Sequence, residues 1–580
     1  MRPSKDKAAP QALKTQKGAR TGVPVAANRP ALWPYAVGFL LTAFIVFTVY
    51  GPALNGPFLL DDSYMPYDQP AYENAPLSSW IKGMRPMLML SYWMNYQLSG
   101  GNTGPYHEVN LLLHVLNGIL IYLSIRKILT WAGVQAHTGQ ILSIFAAGLF
   151  LLHPIQTESV SYIASRSETL SLFFFLAAFV VFLYRRSVET SWPVALAVLA
   201  LFGAACLTKE HAVTLPALLL LTDYFWNPGF SFQGMRRNWR LYAVMGAAGA
   251  LGLAFVLRIL SGAKTAGFGM KDLTWYEYFF TQCRAIWVYL RMYLLPFGQN
   301  VDHDFPISRN LLDGGAIFGL IGLVALVGAA WFYRRRYPLI AYGVLAFVIL
   351  IAPTSSIVPI RDPLVERRLY LPFIGLLLVT VGVLARWKTS RSTVVTALAI
   401  LLAIEAGLTF QRNRVWSSGL DLWQDTVAKS PRKVRPRFQL AFAYYSTGHC
   451  GQAVEEFSKA ATFQTPDYNL LLDWGLAYDC VNQPAMALEK LRAAASLEKS
   501  AHIYSLMGMV YAKQRLYPLA LDALHTAAGL DPSFEMTYVY RGNIYLIQNQ
   551  RAQAAQEYRR ALAINPQNEF ARDGLARSGP

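Results

Sequence analysis

Apolar and polar positions divide this chain into two parts. From about residue 32 to residue 410, long apolar runs alternate with short polar connections. From Gln411 onward, apolar positions recur at the three-to-four spacing of amphipathic, alanine-rich helices. A bilayer core about 30 Å thick takes about 20 residues of helix, fewer where a bundle buries the ends. On that measure the first part predicts eleven spans, at 32–52, 108–128, 139–154, 168–186, 192–208, 211–226, 240–260, 312–333, 337–354, 369–386 and 392–410. Their short connections predict antiparallel neighbours. The stretch 274–297 is also apolar, but Glu277, Arg284 and Arg291 recur every seven residues as a polar stripe. That stripe predicts a helix lying in the interface and not a twelfth crossing. The fold class is all-α: a polytopic membrane bundle over 31–411 followed by a soluble helical domain over 412–580.

The second part repeats. Ala441, Gly475, Gly508 and Gly542 stand 34, 33 and 34 residues apart, and three residues after each comes Tyr444, Tyr478, Tyr511 or Tyr545. Ala453, Ala487, Ala520 and Ala554 follow at twelve, and Ala460, Ala494, Ala527 and Ala561 at nineteen. This is the tetratricopeptide pattern, in which small residues let paired helices approach closely and the tyrosine fills the gap between units. It predicts an α-solenoid of four repeats. A joining helix around 420–429 precedes it and a capping helix at 568–577 follows. Such stacks present a groove suited to an extended peptide or a partner helix; oligomerisation or simple positioning is the alternative use. Cys450 and Cys480 fall near the turns of consecutive repeats and could bridge in an oxidising compartment.

Composition agrees with a membrane protein: of 580 residues, 54% are hydrophobic and 15% charged. The net charge of +18 is a topology signal, since it forms no continuous basic stripe and so argues against a nucleic-acid partner. Residues 1–30 hold seven cations (Arg2, Lys5, Lys7, Lys14, Lys17, Arg20 and Arg29) against Asp6 alone, as a disordered basic arm. The apolar run after it is long for a signal-peptide core, which predicts an uncleaved first span. With eleven spans, the arm, Arg126-Lys127, Arg185-Arg186, Arg236-Arg237, Arg334-Arg335-Arg336 and Arg386 with Lys388 share the cytoplasmic side. The repeat domain is then extracytoplasmic: periplasmic for a bacterial inner membrane, lumenal for an endoplasmic reticulum. The four cysteines make no metal pattern.

The same topology collects ionisable residues on the outer face. The first loop carries Asp61-Asp62 in GPFLLDDSY, with Arg85 and His107 further on. LLHPIQTESVSYIASR carries His153, Glu158 and Arg166, and the turn CLTKEHAV carries Lys209 and Glu210. His303, Asp304, Glu366, Arg367 and Arg368 come from two later connections. Ionisable groups near membrane depth are costly unless they line a cavity, and this mixture offers carboxylates for base work and arginines for phosphate. Asn110, His114 and Asn117 share one face of the second span, where hydrogen bonding between helices is the better reading.

Several motifs coincide in order: FLLDD after the first span, RPMLMLSYWMNYQLSGGNTGPYHEVNLLLHVLN, LLHPIQTESVSYIASRSETL, TKEHAVTLPALLLLTDYF, ERRLYLPFIG and NRVWSSGLDLW before the repeats. Together they resemble the transmembrane and tetratricopeptide-repeat protein O-mannosyltransferases and their bacterial relatives, from about Gly51 to the C-terminus. The resemblance implies a C-type glycosyltransferase fold and a polyprenyl-phosphate sugar as donor. It also implies inverting transfer of a hexose to a Ser/Thr hydroxyl of a polypeptide lying along the repeat groove. It implies that the acidic pair is catalytic, with Asp61 the base and Asp62 positioning the acceptor. Arg367 or Arg368, with Arg166, would meet the donor phosphate, while Arg85, His107, His153, Glu158, Lys209, Glu210, His303, Asp304 and Glu366 shape the pocket. The chain departs from the expected Arg-Tyr-Leu-Tyr run at Glu366-Arg367-Arg368-Leu369-Tyr370, which leaves the phosphate arginine open. No cofactor is obligatory for a monophosphate donor, although the carboxylates could hold a divalent metal. Two alternatives stay open: the same chemistry on a glycolipid or polysaccharide, and a non-catalytic scaffold recruiting partners through its repeats.

Overall fold

The computed structural model describes residues 33–185, 187–260 and 267–579. The basic arm expected over 1–30 lies outside them, as does Arg186. The chain forms two compact units, Met1–Phe44 and Ile45–Pro580. In the first, the described residues are helical from Trp33 onward. The second holds everything that follows, including the boundary expected at 411/412.

Regular structure among the described residues is helical, and each of the eleven expected spans contains a helix. Among the described residues, five helices are long and apolar enough to cross a membrane by length and composition. A sixth crossing is possible if Ala136–Leu152 and Pro154–Ser161, bent by 51°, form one broken span. The expected count of eleven is not confirmed by helix length. Trp192–Cys206, Pro338–Ile351 and Phe373–Leu384 are apolar but only 15, 14 and 12 residues long. At about 1.5 Å per residue they fall short of a 30 Å core. Residues 274–297 form the helix Trp275–Leu294. Glu277, read from sequence as part of a polar stripe, closes a capping box there: its carboxylate accepts from Thr274 N at 2.9 Å.

Polar side chains tie the bundle together. His114 bonds the Tyr370 hydroxyl at 2.8 Å, and Asn117 donates to Thr169 O at 2.9 Å. Asn110 reaches the carbonyls of Val160, Tyr162 and Ile163 and accepts from Arg166. These three residues do serve as hydrogen-bond links between helices. Buried amides left unpaired in their place would each cost about 1–3 kcal/mol.

The repeats fold as four helix pairs, from Val434–Ser446 with Cys450–Phe463 to Glu535–Ile547 with Arg551–Ile564. Gly419–Lys429 leads in and Glu569–Ser578 closes the stack. All eight alanines at the two later repeat positions are fully buried. At Gly508 a Cβ would stand 2.6 Å from Leu524 Cγ, so only glycine permits that approach. Cys450 and Cys480 form a disulfide, Cα atoms 5.9 Å apart, closing a separation of 30 residues. A loop of that length implies about 3–4 kcal/mol of stabilisation. Cys450→Ser should therefore lower the solenoid's unfolding midpoint and abolish the mobility difference between reduced and non-reduced protein on a gel. An unchanged midpoint would show that the link contributes nothing.

The solenoid is docked by charge. Asp302, 3% exposed, accepts from Lys433 Nζ and from Arg435 Nε at 2.5 and 2.6 Å. Arg435 also reaches Asp362 at 2.9 Å. Ser430 Oγ accepts from Asn300 Nδ2 and donates to Asp302 O. These contacts join the segments after Trp275–Leu294 and Pro338–Ile351 to the lead-in helix and the first repeat.

Candidate active site

A cavity of about 870 Å³ opens between the first loop, the turn before Arg367 and the first helices of repeats one and two. One wall carries Asp61, Tyr64, Tyr162 and Arg367; the facing wall carries Trp423, Phe438, Phe442 and Asp473. Its volume is in the range of small-molecule and cofactor sites.

The acidic pair splits. Leu60, just before it, has φ 56°, a left-handed conformation that costs a leucine about 1–2 kcal/mol. The 3-10 turn Leu60–Tyr64 then sends the two carboxylates to different places. Asp61 is exposed into the cavity, and its N–H donates to the Tyr162 hydroxyl at 2.8 Å. Asp62 is 1% exposed. It accepts from Leu59 N at 2.9 Å and from the Tyr67 hydroxyl at 2.7 Å. The acceptor contact expected of Asp62 does not fit this position, because its carboxylate is used inside the loop and does not line the cavity.

Burial pushes the Asp62 carboxyl up to about 7, against the lowering effect of its hydrogen bonds to Leu59 and Tyr67. An unfolded chain has this group near 3.9. The folded form therefore holds a proton that the unfolded form releases, and stability from this group is lost as pH rises from about 4 to about 7. Asp62→Asn cannot ionise and should show no such decline. Thermal midpoints of both proteins across that window test this, and parallel curves would contradict it.

Of the three arginines expected at the phosphate, one lines the cavity. Arg367 is partly exposed there, its guanidinium paired with the buried Glu158 and its N–H donating to Glu158 Oε2 at 3.0 Å. The Tyr162 ring lies 5.8 Å from its Cζ. Burial alone would weaken its proton affinity, but Glu158 outweighs this and holds it above the usual guanidinium range. Nε and Nη2 make no hydrogen bond among the described residues and remain as donors. Arg368 is instead held by Asp362 O at 2.7 Å, Tyr278 OH at 3.1 Å and Pro363 O at 3.2 Å.

Arg166 is fully buried. It donates to Asn110 Oδ1 at 2.8 Å, Asn95 Oδ1 at 2.7 Å, Tyr106 O at 3.0 Å and Ser91 O at 3.3 Å. Tyr92 and Tyr106 rings cover it at 4.6 and 5.5 Å. Expected at the phosphate, it is a bracing group away from the cavity, with its donors satisfied by protein.

The remaining expected pocket residues sort behind the site. Glu366 accepts from Asn300 N and from His303 Nε2 at 2.9 Å. His107 bonds Gly56 O at 3.1 Å, bracing the first loop, and His153 bonds Tyr293 O at 2.9 Å. Arg85 and Glu210 form a two-pronged pair, both bonds 2.9 Å. Lys209 pairs with the buried Glu168. Asp304 is exposed, its N–H donating to Ser430 Oγ at 3.0 Å. None of these lines the cavity.

Sequence reasoning missed Tyr162, Glu168, Arg435, Phe438, Phe442 and Asp473. Tyr162 stood within reach, between Glu158 and Arg166 of a motif already singled out. The repeat residues gave no local signal, since only the docking brings them beside the first loop. Among the described residues, no three His, Cys, Asp or Glu side chains gather into a metal-holding group.

Residues 536–568 match the tetratricopeptide-repeat family pattern. The protein O-mannosyl-transferase TMTC3 of Homo sapiens is 24% identical over 552 residues, covering 84% of this chain and 58% of the human protein. The protein O-mannosyl-transferase F38B6.6 of Caenorhabditis elegans is 24% identical, covering 67% of this chain and 57% of its own length. Among solved structures, MamA aligns at 21% identity over 25% of this chain and 81% of its own, with a TM-score of 0.23. The chain thus spans somewhat more than half the length of these curated relatives. By sequence the chain is similar to proteins named protein O-mannosyl-transferases, and its residues 536–568 match the tetratricopeptide repeat.

Proposed function

We propose that this chain is a membrane glycosyltransferase. It moves a hexose, mannose by analogy with its relatives' names, from a polyprenyl phosphate to a Ser/Thr hydroxyl of an extracytoplasmic polypeptide. The observation that carries this reading is the shared cavity: Asp61 and Arg367 on the membrane-domain wall, exposed repeat residues on the other. Glycosyl transfer from a phosphate passes through an oxocarbenium-like state with charge building on the departing phosphate. Arg367, always charged and fork-shaped, suits that phosphate. Asp61 suits removal of the acceptor proton on the opposite face of the sugar, which gives inversion. Phe442, exposed in the cavity, offers apolar surface to an extended acceptor. The Cys450–Cys480 bridge supports an oxidising, extracytoplasmic location for the solenoid.

Arg367→Ala should cut transfer from labelled polyprenyl-phosphate mannose to a Ser/Thr peptide by about 10²–10³-fold, as loss of a charge-stabilising donor does. The effect should fall on turnover, with the repeats still folded by circular dichroism. Undiminished turnover would remove Arg367 from the phosphate role.

A further inference from the structure

A second cavity, of about 700 Å³, lies at the other ends of the helices that carry His107 and His153. It is lined by the turn after Thr103–Trp131, the start of Ala136–Leu152, the start of Pro338–Ile351 and the segment joining Phe373–Leu384 to Arg391–Val415. Its titratable lining groups are His137, Tyr337, Arg386 and Arg391, with no aspartate or glutamate among them. Two guanidiniums lie over the Tyr337 ring, Arg386 at 4.5 Å and Arg336 at 5.4 Å from its centroid. Neither Arg386 nor Arg391 has a carboxylate partner among the described residues. The first turns of three helices also meet here, adding the partial positive charge of their N-termini.

We propose that this cavity binds the phosphate head group of an anionic membrane lipid. Cations without acidic partners, gathered at the ends of apolar helices, form a basic pocket of the kind that holds such head groups. Ile141, Leu142, Leu339 and Val394 supply apolar lining for the glycerol and upper acyl carbons. Trp387, 63% exposed at the rim, is an amphipathic ring suited to the interfacial layer. The site is separate from the cavity holding Asp61 and needs no assumption about catalysis.

The test uses the full chain in nanodiscs containing phosphatidylglycerol or phosphatidylcholine, with retained lipid read by native mass spectrometry and stability by thermal unfolding. Phosphatidylglycerol should be retained and should raise the midpoint, whereas phosphatidylcholine should do neither. The double variant Arg386→Gln/Arg391→Gln should weaken retention about 30-fold, taking about 1 kcal/mol for each charge. Arg386→Lys/Arg391→Lys should restore most of it, which separates lost binding from misfolding. Equal retention by the glutamine variant would overturn the assignment, as would equal retention of phosphatidylcholine. Stabilisation by inorganic phosphate as large as that by the lipid would overturn the lipid as its source.

Discussion

Asp61→Asn removes about 10²–10⁴-fold of transfer from a polyprenyl-phosphate sugar, the range that a positioned general base contributes. Folding is unchanged within about 0.5 kcal/mol, as for exposed positions outside the core. The side chain is exposed into the cavity, and its contribution to the fold comes from its backbone N–H on Tyr162. Asparagine keeps that N–H and the side-chain shape but cannot take a proton. Turnover and thermal unfolding on the same preparation check it. Undiminished turnover would take the base role from Asp61, and a fall in stability equal to the fall in rate would make its role structural.

Arg166→Ala has the opposite signature. Its guanidinium makes four hydrogen bonds to protein oxygens and lies against two tyrosine rings. Truncation leaves Asn110, Asn95 and two carbonyls without their donor and opens a cavity among Tyr92 and Tyr106. The cost is at least about 3 kcal/mol, from unsatisfied buried groups and the void. The protein should express poorly or lose much of its thermal midpoint. Any folded fraction should turn over with an unchanged donor KM. A raised donor KM at full stability would return Arg166 to the phosphate.

The contrast between these residues explains what was legible in the sequence. Periodicity exposed the repeats almost completely, because Ala453, Gly508 and their equivalents are dictated by helix-to-helix distance within a short stretch of chain. It located the membrane-type helices as well, but not their lengths, since apolar composition does not reveal where Pro372 or the turn at Thr208 bounds a helix. Burial was the least legible property. Asp61 and Asp62 are identical neighbours in sequence, and only the turn set by Leu60 separates an open carboxylate from a closed one. Arg166 and Arg367 read alike as phosphate arginines, but Asn110 and Asn95 occupy the donors of the first. The facing wall of the cavity depended on Asp302 meeting Lys433 and Arg435, a contact across about 130 residues that no local pattern encodes.

Purified full-length protein, incubated with labelled polyprenyl-phosphate mannose and a Ser/Thr-containing peptide, gives the most direct measurement. Label is expected on the peptide's hydroxyl oxygen, with the anomeric configuration opposite to that of the donor. Label remaining on the lipid carrier, or a product with the donor's configuration retained, would contradict it.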